Sequence, residues 1–349
     1  MKSFEFDYLL EVPITHGILK STRVIGEFRG RQALYSQQSP EVLETLRRVA
    51  VIQSAESSNR IEGVIVEPRR LEPLISQKSP PKNRSEQEVA GYRDILTDIH
   101  DRASDIDLSE GLLLDWHRDL FRYTDTRGGI WKEKDNAILE VTEDGRRVVR
   151  FQTASALATP LFIHRLIESY QGILAEDKID PLLATAAFVL DFECIHPFMD
   201  GNGRLGRLLT LLLLYQHGYE VGRYIGLERI VEESKETYYE ALYRSSQGWH
   251  EAAHDLGPWW EYFLGVLIAA YKEFEGRVGT GSPARGAKRD RVMAAISGFS
   301  RPFQIADLER VCPGVSPSTL KRALTDLKKE NRVRCLGRGR DAYWERMGS

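Results

Sequence analysis

The hydrophobic pattern along this chain is overwhelmingly helical. Residues 182–195 and 208–215 are apolar on nearly every side and predict helices buried on all faces rather than amphipathic surface ones. Between them lie twelve residues of different character, His196-Pro197-Phe198-Met199-Asp200-Gly201-Asn202-Gly203-Arg204-Leu205-Gly206-Arg207. Upstream, Val42, Leu43, Leu46, Val49 and Ile52 recur at helical spacing, predicting a helix from residue 41 to about 61, opened by Pro40 and closed by Gly63 as a left-handed cap. Further helices are expected at 85–102, 109–123, 157–176, 224–249 and 258–274. Residues 1 to about 40 read as an irregular arm with short helical pieces, and 64–80 as a loop punctuated by Pro68, Pro73 and Pro80. Helical periodicity breaks at 136–151, where two β-prone runs flank Thr142-Glu143-Asp144-Gly145, an Asp-Gly hairpin signal.

Past residue 275 the composition changes. Residues 276–288 (GRVGTGSPARGAK) have linker composition, and their GxxGxG follows no strand, so it is not a nucleotide loop. From Arg289 onward, helices at 290–296 and 305–311 precede Ser316-Pro317-Ser318-Thr319, which caps a helix to about 330. Two short strands, 332–336 and 341–346, follow. This pattern resembles a winged helix-turn-helix, with Lys321, Arg322, Lys328 and Lys329 on or near the recognition helix. Charge sharpens the division. The 349 residues carry net −3, yet from Arg285 onward there are 15 basic and 7 acidic residues, net +8, leaving 33 against 44, net −11, for the rest. A basic module on an acidic body suits an anionic partner; DNA and protein both remain open.

The twelve-residue stretch concentrates chemistry. Pro197 disfavours the α conformation at His196, predicting that the helix stops near Ile195 and leaves the imidazole on an extended residue. Gly201 and Gly203 permit positive φ, so that successive N–H groups converge into an anion nest. A helix starting near Asn202 or Gly203 points its positive end at the same spot. Arg204 and Arg207, three apart, share a face there. Singly, each feature is ordinary: a structural histidine, a turn, a solvated arginine. Together they describe a polyphosphate site with a base at its rim.

The stretch resembles the Fic family motif, HPF-x-[D/E]-GNGR-x-x-R, at every defined position. The resemblance covers roughly residues 30–275 and implies a mainly α-helical bundle with a small β-hairpin flap, here followed by the winged helix. It implies transfer of AMP from ATP to a Tyr, Ser or Thr hydroxyl of a protein. His196 would take the hydroxyl proton, and Asp200 would hold Mg²⁺ against the α- and β-phosphates. Gly201, Asn202 and Gly203 would form the anion hole, with Arg204 on the β-phosphate and Arg207 on the γ-phosphate. Nucleotidyl transfer rests mainly on positioning and charge neutralisation, which such a set can supply.

Near the end of the helix at 41–63, Ser58-Asn59-Arg60-Ile61-Glu62-Gly63 resembles the family's inhibitory pattern [S/T]-x-x-x-E-[G/N]. Ser58 and Glu62 are four apart and share a helix face. The implied mechanism is self-inhibition: Glu62 pairs with Arg207 and fills the γ-phosphate position. The hairpin is implied to be the flap that holds the target by strand addition through Ile138, Leu139, Glu140, Val148 and Val149. Tyr238 and Tyr239 lie where the family often has aromatics near adenine.

The division that follows is an N-terminal region at 1–110, a Fic catalytic domain at 111–275, the linker, and the winged helix at 289–349. Removal of AMP, transfer of another nucleotide, and a DNA-binding regulator that senses nucleotide are the alternative functions. Such a sensor would need no base at His196. His250-Glu251-Ala252-Ala253-His254 spells a zinc-hydrolase pattern, but Gly248 and Gly257-Pro258 leave too little helix to carry it. Cys194, Cys312 and Cys335 are too scattered for a disulfide framework or zinc cluster. With no basic-then-apolar leader and no apolar run near ~18 residues, the expectation is a cytoplasmic protein that does not engage a membrane. A homodimer is among the assemblies left open.

Overall fold

The computed structural model describes residues 2–5, 7–38, 40–141, 145–278, 287–299, 301–312, 315–337, 339 and 342–347. In chain order the body contains α1 (Tyr8–Glu11), α2 (His16–Gln38), α3 (Pro40–Ile61), α4 (Pro68–Ile75), α5 (Arg84–Arg102) and α6 (Glu110–Leu120). The antiparallel hairpin β1 (Ala137–Val141) and β2 (Arg147–Gln152) comes next. It leads to α7 (Thr159–Ala175), α8 (Pro181–Ile195), α9 (Asn202–Gln216), α10 (Leu227–Glu233), α11 (Lys235–Ser246) and α12 (Gly257–Val278). The C-terminal module is α13 (Ala287–Ser297), α14 (Ile305–Val311), α15 (Pro317–Lys329) and the hairpin β3 (Val333–Leu336)–β4 (Tyr343–Arg346). The mainly helical class expected from the pattern is what the chain adopts.

α8 and α9 form the centre. Every residue of α8 from Leu182 to Ile195 is buried, as an all-round apolar helix requires. Of its two buried acids, Asp191 accepts hydrogen bonds from the Ser3 backbone and hydroxyl and from Trp249 Nε1 (2.6 Å), pinning the N-terminal turn to the middle of the molecule. α5 begins at an Asn83 cap, α6 at a Ser109 cap and α15 at a Ser316 cap, each side chain satisfying an otherwise orphaned N–H.

Three segments differ from the expectation. Residues 16–38 are one helix of 23 residues, not short pieces. Gly17, Gly26 and Gly30 lower its intrinsic propensity, but Ile18, Ile25 and Phe28 are buried, with Phe28 stacked on Tyr271 of α12. Tertiary packing overrides local preference here. The expected loop at 64–80 contains α4, because Pro68 occupies a first-turn position, where a missing N–H costs nothing, and Leu71, Leu74 and Ile75 find a core face. The single helix expected at 224–249 is two, divided at Ser234 (φ −115°, ψ 30°), whose hydroxyl donates to the Ile230 carbonyl (2.7 Å). α6 also stops at Leu120, three residues early.

α12 runs to Val278, inside the expected linker; residues 279–286 lie outside the described residues, as do Thr142–Asp144 of the hairpin turn and Arg338 and Arg340 of the second hairpin. The described module has its own core of Val292, Ile296, Phe303, Leu308, Leu320, Leu324 and Leu327, into which Val49 of α3 inserts. Arg48 donates to the Arg310 carbonyl (2.8 Å), Gln53 to the Gly298 carbonyl, and Arg301 pairs with Glu56 (3.0 Å). One helix, α3, therefore touches the C-terminal module at its middle and the central loop at its end. Lys321, Arg322, Lys328 and Lys329 are solvent-exposed on α15. No helix among the described residues is long and apolar enough to cross a membrane.

Candidate active site

The central loop leaves α8 abruptly. His196 adopts φ 52°, ψ 61°, the left-handed cap conformation, with its N–H bonded to Phe192 O (2.9 Å). The expectation of an extended residue is corrected. Pro197 does exclude the right-handed α region, but ending a helix through a left-handed residue satisfies one more carbonyl than an extended exit would. Lys132 and Asn136 hold this strained turn. Buried Lys132 donates to Ile195 O (2.8 Å), Asn136 Oδ1 (2.8 Å) and Thr153 Oγ1 (3.0 Å). The Lys132 N–H donates to Pro197 O (2.8 Å) and Asn136 Nδ2 to Phe198 O (2.9 Å). An ammonium on the carbonyl end of α8 also opposes the negative end of its dipole. Lys132, Asn136 and Thr153 escaped sequence reasoning; the only available signal was a cluster of polar residues just before and after a β-prone run.

The imidazole is mostly buried, and its Nδ1 lies 3.3 Å from the Glu193 carbonyl. A carbonyl only accepts, so the ring proton sits on Nδ1 and Nε2 keeps its lone pair. Burial, then the nearby Lys132 charge, push the His196 pKa down to about 4, so the ring is neutral at physiological pH.

α9 begins at Asn202, with Gly201 at φ 84° as its N-cap. Gly203 is already helical, not in the positive-φ region as expected. It leaves room for the Glu62 carboxylate instead: a Cβ there would lie 2.4 Å from Glu62 Oε1 and push that side chain aside. Asn202 is buried and turned inward, Oδ1 accepting from Phe198 N–H (2.9 Å) and Nδ2 donating to Phe198 O (2.8 Å). Its side chain braces the loop, so an anion at this helix start would be left to the first backbone N–H groups of α9. His117, stacked on Phe198 with centroids 3.9 Å apart and bonded to Asp200 O (3.2 Å), braces it from α6.

The two arginines diverge. Arg204 is buried and pairs with Glu88 Oε2 (2.6 Å), with the exposed carboxylate of Asp200 at 3.5 Å. Arg207 donates to Ser58 Oγ (2.8 Å), Ser58 O (2.9 Å) and Glu62 Oε1 (2.7 Å). α3 thus ends on Arg207, where Gly63 closes it at φ 82°. Burial alone would raise the Glu62 carboxyl, but Arg207, helped by Arg204 and His196, holds it below its ordinary value, and it stays ionised.

Glu62, His196, Gly203 and Arg207 line one cavity of about 550 Å³ with Ile138 and Leu139 of β1 and Tyr238 and Tyr239 of α11. Tyr238 is buried; Tyr239 is partly exposed. The hairpin register slips between Ile138 and Leu139, opposing Ile138 to Phe151 and Leu139 to Val149 and leaving Arg150 as the extra residue. That guanidinium bonds Glu240 (3.2 Å) and lies over the Tyr243 ring, tying the hairpin to α11. Leu139, Val148 and Val149 stand exposed by 50%, 40% and 60% beside the cavity, and the Glu140 backbone pairs with Val148. The zinc pattern does not form an α-helix. Residues 249–251 make a single tight turn, Ala252 is left-handed, and buried His254 bonds Ser3 Oγ (2.9 Å). Among the described residues there is no cluster of three or more metal-ligating side chains.

Fold and loop together define a helical protein built round a glycine-containing loop at a helix N-terminus, faced by a β-hairpin. Residues 107–214 match the Fic/DOC family, and the chain carries a Fic domain. It is 39% identical over 91 residues to a Fido domain-containing protein of Dictyostelium discoideum, covering 26% of this chain and 57% of that one. It is 33% identical over 90 residues to a "probable protein adenylyltransferase" of Aquifex aeolicus, covering 26% of each. The chain thus spans about half of the first relative and a quarter of the second. Among solved structures, a Fic family protein from Desulfovibrio desulfuricans aligns with TM-score 0.62 at 24% identity, covering 97% of this chain and 98% of that one. A Fic domain-containing signaling protein from Bacteroides thetaiotaomicron aligns with TM-score 0.62 at 20% identity over 75% of this chain and all of the other. At these identities the two structures speak for the fold.

Proposed function

We propose that the chain transfers AMP from ATP to a Tyr, Ser or Thr hydroxyl on a protein, and that Glu62 holds this activity in check. The observation that carries the reading is a neutral imidazole, its Nε2 lone pair free, in the same cavity as an anion-cradling helix start and a buried arginine already occupied by a carboxylate. A protein hydroxyl held against the hairpin edge would give its proton to His196 Nε2 while its oxygen bonds to the α-phosphorus and pyrophosphate departs. The N–H groups at the start of α9 and the guanidinium of Arg207 face the charge this displaces. Tyr238 and Tyr239 offer aromatic faces to the base. Asp200, a single exposed carboxylate at the loop, fits the one-carboxylate-plus-phosphate pattern by which Mg²⁺ is commonly held. When bound, that ion would neutralise phosphate charge.

The exposed basic residues of α15 support a nucleic-acid or acidic protein partner for the C-terminal module. For duplex DNA, a steep loss of affinity with salt is expected, and salt-insensitive binding would refute it. The transferase reading is tested with the Glu62→Gly protein, ATP labelled at the α-phosphate, and a cell lysate, with Glu62→Gly/His196→Ala alongside. Label is expected on protein only where His196 is present, with ATP binding retained by both. Labelling without His196, or ATP binding lost together with activity, would overturn the assignment of the base.

A further inference from the structure

Glu193 has no part in the scheme above, yet the fold makes room for it at a cost. Its side chain is buried one turn before His196, and Oε1 has no hydrogen-bond partner. Oε2 lies 3.8 Å from His196 Nδ1, and the carboxylate lines the cavity. Across from it, a Cβ at Gly206 would come within 2.2 Å of Oε1, so the buried helix α9 carries a glycine where alanine would favour the helix by about 1 kcal/mol. A buried carboxylate with an unsatisfied oxygen is ordinarily replaced by an apolar side chain. Here two positions are committed to keeping it beside the base.

We propose that Glu193 is a positioning residue for His196, setting its carboxylate against the Nδ1–H edge as the countercharge for the imidazolium that forms when Nε2 accepts a proton. This rests on the transferase reading for its chemical use. The hydroxyl O–H bond breaks towards Nε2, the oxygen bonds to the α-phosphorus, and the bond from that phosphorus to the bridging oxygen breaks with its electron pair leaving on pyrophosphate. The imidazolium then holds two N–H bonds, the one on Nδ1 directed at the Glu193 carbonyl (3.3 Å) with the Glu193 carboxylate close by (3.8 Å). The proton stays on the ring until product leaves; the carboxylate need not accept it.

The groups facing Glu193 are Arg207 from α9, Glu62 from the end of α3, Tyr238 and Tyr239 from α11, and Cys194 and His196 beside it on its own stretch. Burial raises the Glu193 pKa to about 7, Arg207 lowering it and Glu62 raising it. The ionised form that supplies countercharge therefore accumulates as pH rises through neutrality.

Two measurements test this. The ring ¹⁵N signals of His196 in the full chain, followed from about pH 5.5 to 8.5, are expected to move with a midpoint near 7 and to lose that step in Glu193→Gln. In the Glu62→Gly parent, where ATP's terminal phosphate would restore the negative charge beside Arg207, Glu193→Gln is expected to lower kcat roughly tenfold or more at pH 8. It should flatten the rise through neutrality and leave ATP affinity unchanged. A His196 signal that ignores the substitution, or equal kcat at every pH in a parent that transfers AMP, would overturn the proposal. A parent that binds ATP and transfers nothing would instead refute the transferase reading, with the ring titration still deciding whether Glu193 is coupled to His196.

Discussion

The Glu62–Arg207 contact offers the sharpest perturbation. Glu62 Oε1 sits 2.7 Å from Arg207 Nη2, and Ser58 contributes two further acceptors to the same guanidinium. A terminal phosphate reaching Arg207 must displace a carboxylate tethered by its own helix. Glu62 keeps 34% of its side-chain surface open, so solvent screening discounts the full Coulomb attraction. A charge-assisted hydrogen bond of this kind is worth about 1.5–3 kcal/mol. Removing it should raise initial AMP transfer by about 10- to 150-fold, at about 1.4 kcal/mol per decade. Glu62→Gly, Arg207→Ala and the double variant should be compared with the parent by incorporation from α-labelled ATP. Arg207→Ala is expected not to mimic Glu62→Gly, since it frees the position but removes the phosphate ligand. Ser58→Ala should activate by a few-fold at most, having lost one neutral acceptor. Equal rates for the parent and Glu62→Gly, or activation by Arg207→Ala, would refute the reasoning.

Asp200→Ala should weaken Mg²⁺-dependent ATP binding, read by titration calorimetry with and without the ion, and unchanged affinity would remove Asp200 as the metal ligand. Deleting residues 285–349 should leave self-labelling by the Glu62→Gly protein intact, because no residue lining the cavity lies beyond Ser246. It should lower Tm, because Val49 loses its cover, burial worth about 1.5–3 kcal/mol; a folded but inactive truncation would contradict this. Stability should fall as pH drops from about 6.5 towards 4. Burial pushes His100 down to about 3 and His117, His196 and His254 to about 4, so the unfolded chain binds protons there that the folded one refuses. Glu193, raised to about 7, and Asp191, also raised by burial, act oppositely, their contributions being lost as pH rises, but they are two groups against four. A flat Tm across that window in scanning calorimetry would show that these histidines are not held neutral.

The geometry of the central loop was largely legible in twelve consecutive residues, because a helix end, a turn and a helix start are local structures whose dihedral needs choose particular residue types. The buried status of α8 and α9 was equally legible, since only a helix covered on all sides tolerates apolar residues all round. What the sequence left open was whatever depends on a partner distant in the chain. α2 read as short helical pieces of an irregular arm until α12 supplied a face for it, with Ile18, Ile25 and Phe28 buried. Lys132 and Glu88 carry no local signature; each matters because α8 and α9 bring Ile195 and Arg204 beside it. Even His196, whose exit from the right-handed helix region Pro197 announced, took its left-handed form by the balance of hydrogen bonds around Phe192, Lys132 and Asn136. Local dihedral preference is additive along a chain and can be read in order. Burial and charge pairing are set by which segments meet, and only the folded packing of α3, α8, α9 and the hairpin decided that.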